Sequence, residues 1–228
     1  MNWLGLLVSY AFVFGLIGLA TILMKRKTLE PGAARKLIHI GVSNWWLIAM
    51  ATFDNPLFAS VGPLSFILIN ALALRFRLFA AMDPGADSKN WGTIYFPISL
   101  AILANLCWGS LMPLWVGAIG VLAMGWGDGL ASLVGEKFGG KGMLIWGRRK
   151  TAAGTTAMFA ASFLIALAFT LGFNARVSGA LPASLLFAIG VSAVTAGAAA
   201  LVELLTPFGL DNLTVPLLTS LLYLGAFA

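Results

Sequence analysis

Residues 125–159 read GWGDGLASLVGEKFGGKGMLIWGRRKTAAGTTAMF and lie between two apolar runs. Each of those runs approaches the length of about 20 residues that a membrane-spanning helix needs. Within the quoted stretch, Asp128 stands alone among apolar and small residues, and a group of basic residues follows it. A charge at bilayer depth costs about 2.5 to 3.5 kcal/mol on insertion scales, so we expect Asp128 to be paired, hydrated or functional. A cation is the expected partner.

The composition of the whole chain is that of an integral membrane protein. Of its 228 residues, 60% are hydrophobic and 10% are charged, whereas soluble domains carry about 25% charged residues. We find no internal repeat and expect one membrane domain over residues 1–228, an all-α polytopic helical bundle. Apolar runs predict about eight transmembrane helices, at roughly 3–24, 37–53, 56–74, 91–108, 111–133, 153–173, 181–202 and 213–228.

The net charge of +6 arises from 14 basic and 8 acidic residues, and it reflects topology. With the N-terminus outside, the connections 25–36, 75–90, 134–152 and 203–212 are cytoplasmic. Thirteen of the fourteen basic residues then lie inside, and Arg176 is the exception. This asymmetry follows the positive-inside rule. We therefore expect an integral protein of a prokaryotic cytoplasmic membrane, with membrane lipids as partners, no nucleic acid partner and its polar site facing the cytoplasm.

Small residues surround Asp128 on the predicted fifth span. If the helix continues, Ser132 lies one turn further on the same face as Asp128, whereas Gly127, Ala131 and Gly135 form a stripe on another face. We interpret the stripe as a helix-packing surface. Asp128 itself is either a ligand or catalytic group, or a salt-bridged structural residue.

The inner loop after Asp128 contains the groups that a polyphosphate needs. Five basic side chains, several glycines and hydroxyls at a helix start supply countercharge, N–H donors and a favourable dipole. The alternative is a general attraction of a basic loop to anionic headgroups. A Gly-x-x-x-x-Gly-Lys-Ser/Thr pattern is absent, which excludes a P-loop. The candidate phosphate-binding residues of this loop are Lys137, Arg148, Arg149, Lys150, Thr151 and Gly154.

A second basic group opens the predicted second span. Arg35 and Lys36 are further phosphate-binding candidates, and His39 follows Arg35 by one helical turn. A single His in the chain builds no zinc site, so His39 is either a hydrogen-bonded structural group or a functional one.

Four carboxylates are predicted on the same side of the membrane, and oxygen ligands without His or Cys suit Mg²⁺. Alternatively, Asp211 or Asn212 caps the last helix, and Glu203 pairs with a nearby Lys. A metal beside a basic loop predicts phosphoryl or nucleotidyl transfer. The candidate metal ligands are Asp128, Glu203 and Asp211, and Asn212, Glu136 and Ser132 are further polar site residues.

The predicted fourth span opens with the sequence NWGTIYFP at residues 90–97. Trp91 and Tyr95 in this stretch are typical of an aromatic belt at the membrane interface.

Five short motifs occur together and in order between about residue 30 and residue 217. They are RKLIHIGV at 35–42, GTIYFP at 92–97, GDGLASLVGEKFG at 127–139, KTAAGT at 150–155, and Glu203 with DNLTVP at 211–216. This combination resembles the polyprenol kinase family. That family includes phytol, farnesol and dolichol kinases and a CTP-dependent diacylglycerol kinase, and it looks related to phosphatidate cytidylyltransferases.

The resemblance implies a lipid-alcohol kinase. Such an enzyme transfers the γ-phosphoryl group of CTP, or of another nucleoside triphosphate, to a membrane isoprenoid alcohol such as phytol, farnesol or a polyprenol, with Mg²⁺ as cofactor. Asp128, His39 and Lys150 are then the catalytic candidates, and the proton acceptor is either His39 or a carboxylate. One departure is Ala153, where the family usually has Glu. Either Glu136 supplies the missing carboxylate, or activity and nucleotide preference have diverged.

Three alternatives stay open from the sequence. A cytidylyltransferase that makes a CDP-lipid from phosphatidate needs the same metal and the same basic residues, and a diacylglycerol kinase needs them too. An anionic-lipid transporter also needs basic residues but has no use for Asp128.

Overall fold

The computed structural model describes residues 1–76, 91–174 and 185–226. Arg77, Lys89, Asn90 and Arg176 lie outside the described residues, as do most of the predicted connection 75–90 and the start of the predicted seventh span.

Helices account for nearly all of the described chain, as the sequence predicts. They form eight helical stretches, because two pairs of helices are nearly continuous: α2 and α3 meet at Asn44, and the π-helical segment Ala123–Asp128 joins α6 to α7. A second π-helical segment, Thr170–Asn174, extends α8. The helices are α1 (Asn2–Lys25), α2 (Pro31–Ser43), α3 (Trp45–Thr52), α4 (Pro56–Phe76), α5 (Gly92–Trp108), α6 (Leu114–Leu122), α7 (Gly129–Phe138), α8 (Ala152–Phe169), α9 (Leu185–Leu205) and α10 (Asp211–Gly225).

Five of the described helical stretches are long and apolar enough to cross a membrane. They are Asn2–Lys25, Pro56–Phe76, Leu114–Phe138, Ala152–Gly172 and Leu185–Leu205. The other three predicted spans correspond to shorter helices. One is the pair α2 and α3, and the others are α5 and α10, of 17 and 15 residues. Between α2 and α3, the Asn44 side chain donates a hydrogen bond to the backbone carbonyl of Ile40.

A β-hairpin lies between α7 and α8, where the sequence analysis expected only a connection. Its strands are β1 (Met143–Ile145) and β2 (Arg148–Lys150), which pair antiparallel. Trp146 and Gly147 form the turn with φ of 53° and 76°, the positive values that two-residue hairpin turns require. The indole nitrogen of Trp146 donates to the carbonyl of Leu205, 2.9 Å away at the end of α9. This bond ties the hairpin to the bundle.

Glycines let two helices pack closely against the π-helical segment and α7. A Cβ on Gly125 would overlap Ser43 of α2, and one on Gly127 would overlap Met158 of α8. A Cβ on Gly135 would lie 2.8 Å from the hydroxyl oxygen of Thr151, just before α8. The small-residue stripe is therefore a packing surface, as we interpreted it, and the faces on either side of Asp128 are covered by α2 and α8.

Candidate active site

Three carboxylates from three elements lie close together inside the bundle. Asp128 ends the π-helical segment, Glu203 lies in the last turn of α9, and Asp211 is the first residue of α10. One oxygen of each carboxylate lies within 4.8 Å of the others. Glu203 and Asp211 are 4% and 2% exposed. We call these three residues the carboxylate cluster; negative charges this close and this buried need cations nearby.

Each member of the carboxylate cluster faces a basic side chain. Lys36 donates to Asp128 over 3.0 Å, and the guanidinium of Arg148 lies 3.9 Å from Asp211. Lys150 donates to the carboxylate of Glu203 and, over 3.1 Å, to its backbone carbonyl. The pairing of Glu203 with a Lys, which the sequence left open, is therefore present. Asp128 likewise has a salt-bridge partner.

The oxygen atoms of the carboxylate cluster fit a small divalent cation. Magnesium takes oxygen ligands at about 2.0 to 2.1 Å, so opposite ligands are about 4.2 Å apart. The three carboxylate oxygens all lie within 4.8 Å of one another, so they converge on a space of the size that such an ion takes. Among the described residues, this is the one group of three or more His, Cys, Asp or Glu side chains that could hold a metal.

Asp211 is the first residue of α10 and lies outside the five long apolar helices. Burial raises the pKa of Asp211 to about 6; the charge of Asp128 also raises it, and Arg148 lowers it. A cation that binds the carboxylate cluster therefore competes with a proton in mildly acidic solution.

His39 lies beside Asp128 on the packed face of α2. Its Nε2 is 3.6 Å from an Asp128 carboxylate oxygen, too far for a hydrogen bond. The His39 ring centre is 5.3 Å from that of Phe96 on α5. The close approach of α2 at Gly125 is what brings His39 and Lys36 to Asp128.

A polar cavity of about 220 Å³ opens between the carboxylate cluster and the start of α8. Thr151 caps α8 by accepting a hydrogen bond from the backbone N–H of Gly154 over 3.0 Å, so the N-terminal end of that helix faces the cavity. Helix N-termini and basic side chains together bind anions. The residues around it are Lys36, Asp128, Ala131, Ser132, Gly135, Glu136, Arg148, Arg149, Lys150, Thr151, Gly154, Thr155 and Glu203.

An apolar cavity of about 330 Å³ lies on the other side of Asp128. Its wall comes mainly from α1, α2, α4 and α5, with side chains such as Val13, Trp45, Phe66 and Phe96. The two cavities share part of their lining, so they meet at Asp128. The shared residues are Lys36, Asp128, Ser132, Glu136 and Arg148.

The structure brings most of the predicted site residues to one of these cavities. Arg35 and Asn212 line the apolar cavity and not the polar one. Lys137 lines neither; it is exposed, and its Nζ lies 5.2 Å from the ring centre of Phe138. Ala153 also lines neither cavity, whereas Glu136 lines both.

The apolar residues in the wall of this cavity were not predicted from the sequence. Ser9, Tyr10 and Val13 lie in the uniformly apolar α1, where no pattern distinguishes a cavity wall from a lipid-facing surface. The segment that we interpreted as an aromatic belt has two roles. Trp91 is 52% exposed, as a belt residue should be, but Phe96 lines the cavity. The one available signal was Asn70, a polar residue inside an apolar run.

The fold and the site define a helical membrane protein in which an apolar cavity and a basic, carboxylate-containing cavity meet. The chain is 32% identical to a phytol kinase of Synechocystis sp., over 96% of this chain and 88% of that protein. It is 28% identical to a probable chloroplastic phytol kinase 2 of Glycine max and to a probable chloroplastic phytol kinase of Zea mays, over 92% of this chain and about 70% of each relative.

The chain belongs to the phytol kinase family of phosphotransferases. The resemblance seen in the sequence motifs is thereby confirmed. No family model matches the chain, and no solved structure matches it.

Proposed function

We propose that the chain is a CTP-dependent kinase that phosphorylates phytol or a related isoprenoid alcohol. The observation that carries this proposal is that the apolar and polar cavities meet at Asp128. An alcohol with a long apolar chain and a nucleoside triphosphate differ in polarity, and each matches one cavity. The choice of phytol as substrate is supported by the relatives from Synechocystis sp. and from plants, which are named as phytol kinases.

The reaction joins the lipid oxygen to the γ-phosphorus and breaks the bond between that phosphorus and the oxygen that bridges it to the β-phosphate. The products are a nucleoside diphosphate and a lipid monophosphate, and the hydroxyl proton passes to a base. Catalysis of this kind depends mainly on positioning and charge neutralisation. The protein therefore needs cations around the phosphates and an acceptor near the hydroxyl.

The basic side chains and the start of α8 supply the phosphate contacts in this proposal. Arg148, Arg149 and Lys150 line the polar cavity. Thr151, Gly154 and Thr155 at the start of α8 line it as well, so the positive end of that helix dipole faces the phosphates in this proposal. Lys36 lies between the two cavities, where it can neutralise the phosphoryl group in transfer.

Mg²⁺ is the proposed cofactor, held by the carboxylate cluster. When bound, the ion neutralises charge on the phosphate oxygens. Lys36 and Lys150 pair with this cluster. A cation held by the carboxylates would take over part of this charge compensation and leave both side chains available to the nucleotide. Glu136 lines both cavities, which supports it as the substitute for the carboxylate that the family usually has at position 153.

His39 is the proposed proton acceptor. Its Nε2 is buried and has no hydrogen-bond partner among the described residues, whereas Asp128 is engaged by Lys36. The ring also lines the apolar cavity, where the alcohol is expected. Position and availability therefore favour His39 over a carboxylate.

We further propose that all eight helical stretches lie in the membrane, that the N-terminus is outside, and that the polar cavity opens to the cytoplasm. Support comes from the side on which the basic residues lie. Lys36 and Arg148 to Lys150 line the polar cavity. They fall in the segments 25–36 and 134–152, which the positive-inside rule places in the cytoplasm.

Labelled nucleotides test the function. Purified protein in lipid-containing micelles receives CTP or ATP labelled at the γ- or α-phosphate, with phytol, farnesol, a long polyprenol, diacylglycerol or phosphatidate. We expect γ-label, and no α-label, in the phytol product. Phosphatidate cytidylyltransfer would place α-label in the lipid and release the γ-label as pyrophosphate. Absence of γ-label from every alcohol with both nucleotides would show that the proposed function is wrong.

A further inference from the structure

The wall of the apolar cavity carries polar atoms that nothing in the described part of the chain satisfies. Nε2 of His39 and Oγ1 of Thr93 are buried and have no hydrogen-bond partner among the described residues. Both residues line this cavity. A buried donor or acceptor without a partner costs about 1 to 3 kcal/mol. Oγ of Ser9 is a third such atom in the wall, so this cavity is built for a ligand that carries a polar group.

Phe96 lies next to both Thr93 and His39 in the lining of the cavity. Thr93 is in the first turn of α5, and Phe96 lies three residues further on the same helical face. The Phe96 ring is packed against the His39 ring, with 5.3 Å between ring centres. Phe96 thus connects the two polar side chains across the junction of α5 and α2.

A buried amide fixes the position of Thr93. Asn70 of α4 is 7% exposed, and its side-chain nitrogen donates to the backbone carbonyl of Thr93 over 2.7 Å. This bond joins α4 to the start of α5 and holds the first turn in place. The Thr93 side chain is therefore presented to the cavity by a rigid support.

We propose that Thr93 is the residue that positions the substrate hydroxyl, by donating its own hydroxyl proton to the oxygen of the lipid alcohol. The lipid hydroxyl then donates its proton to Nε2 of His39. An alcohol has one donor and two acceptor sites, so it satisfies both unpartnered atoms at once.

This arrangement selects a neutral hydroxyl at the end of an apolar chain. A hydrocarbon leaves both atoms unsatisfied, and a carboxylate offers no proton to Nε2. The identity of the alcohol rests on the proposed function, whereas the need for a hydroxyl rests on the cavity alone.

The chain contains a matched control in Ser9 of α1. Ser9 is 3% exposed, lines the same cavity, and has a hydroxyl with no partner among the described residues. It lies in α1 and has no aromatic link to His39. Removal of its hydroxyl tests whether any buried hydroxyl in the cavity has the same effect.

The experiment compares binding of phytol with binding of phytene, the same chain without the hydroxyl, by tryptophan fluorescence in micelles. The wild-type chain is expected to bind phytol more tightly than phytene. Thr93→Val should reduce that preference about tenfold, the worth of one hydrogen bond, whereas Ser9→Ala and Thr93→Ser should keep most of it. Thr93→Val should also raise the KM for phytol and leave the KM for the nucleotide unchanged.

Stability separates a positioning role from a structural one. Because Oγ1 of Thr93 has no partner among the described residues, Thr93→Val should melt at or above the wild-type temperature. Four results would overturn the proposal. Two concern Thr93→Val: a clear fall in its melting temperature, or an unchanged preference for phytol over phytene. The other two are an equal loss of that preference in Ser9→Ala, and equal binding of phytol and phytene by the wild-type chain. If binding behaves as expected but no phosphate is transferred, the hydroxyl site stands and the kinase function is wrong.

Discussion

Asp128 lies where the two cavities meet, and its substitution tests the site most directly. Asp128→Asn keeps the shape of the side chain but removes the charge that faces Lys36, His39 and the proposed metal. We expect kcat for lipid phosphorylation to fall at least about 100-fold, the typical effect of losing one electrostatic contact to a transition state. Rates of product formation at saturating substrates measure this loss.

Asp54→Asn is the control for this change. Asp54 is exposed and its carboxylate accepts a hydrogen bond from Asn2 over 2.7 Å, far along the chain from both cavities. Its substitution should leave kcat unchanged. Wild-type turnover by Asp128→Asn would exclude a metal-dependent mechanism at this residue.

Two lysines that the sequence predicted to bind phosphate are separated by the structure. Lys150 is paired with Glu203 and lines the polar cavity, whereas Lys137 is exposed and lines neither cavity. Lys150→Gln removes a charged contact to phosphate, which is worth about 10- to 100-fold in affinity. We expect the KM for the nucleotide to rise by that factor and the KM for phytol to stay constant.

Lys137→Gln makes the same chemical change on the same cytoplasmic side. Its nucleotide KM should equal that of the wild-type chain in steady-state assays. An equal rise in both variants would mean that the basic loop attracts nucleotides by its overall charge and that the cavity plays no specific part.

Single residues were predictable from the sequence where their chemistry is costly. A carboxylate in an apolar chain stands out, so Asp128, Glu203 and Asp211 could be grouped before their positions were known, and the structure places them together. The wall of the apolar cavity could not be predicted in this way. Tyr10 and Phe66 resemble lipid-facing residues until the packing of α1 on α4 shows their stacked rings.

At the scale of helices, the site depends on how closely α2 approaches the π-helical segment. Gly125→Ala places a methyl group against the Cβ and hydroxyl of Ser43, and overpacking of this kind costs about 1 to 3 kcal/mol. The expected result is a lower melting temperature in detergent and a loss of kinase activity, because α2 carries Lys36 and His39 away from Asp128.

Gly18→Ala is the matched control in α1, because a Cβ at Gly18 meets nothing within 4 Å. It should keep full activity and melt at or above the wild-type temperature, since Ala favours a helix over Gly by about 1 kcal/mol. If Gly125→Ala behaved like Gly18→Ala, the close approach of α2 would not be needed for the site.

The hairpin and the π-helical segment could not be predicted from the sequence. Strands of three residues are too short to show an alternating pattern, and the turn places Trp146 at a φ of 53°, which is uncommon for a residue other than glycine. The register depends on long-range support, such as the bond from Trp146 to Leu205. The π-helical segment depends likewise on packing against α2 and α8.

At the scale of the whole molecule, hydropathy predicted the number of helical stretches among the residues that the structure describes, but not their lengths. The second stretch begins at Pro31, six residues before its predicted start, because Arg35 and Lys36 interrupt the apolar run without interrupting the helix. A hydropathy pattern therefore places the start of a helix too late where its first turns carry charged residues. The same basic residues predict the orientation of the chain in the membrane, which labelling can test.

The native chain is suited to a labelling test of topology because Cys107 is its single cysteine and is 5% exposed. A membrane-impermeant maleimide should therefore leave the wild-type chain unlabelled. Asp54→Cys introduces a thiol in the connection predicted outside, and Lys141→Cys introduces one in the connection predicted inside; both positions are exposed. Each variant is expressed in a bacterial inner membrane and labelled in spheroplasts and in inverted vesicles.

Asp54→Cys should react in spheroplasts, and Lys141→Cys should react only in inverted vesicles. The reason is that basic residues resist transfer across the membrane, so the loop that contains Lys141 and Arg148 to Lys150 is held inside. The opposite labelling pattern would place the polar cavity outside, away from the cytoplasmic nucleotide pool. A kinase with that orientation would lack its phosphoryl donor, so the proposed nucleotide and the proposed topology stand or fall together.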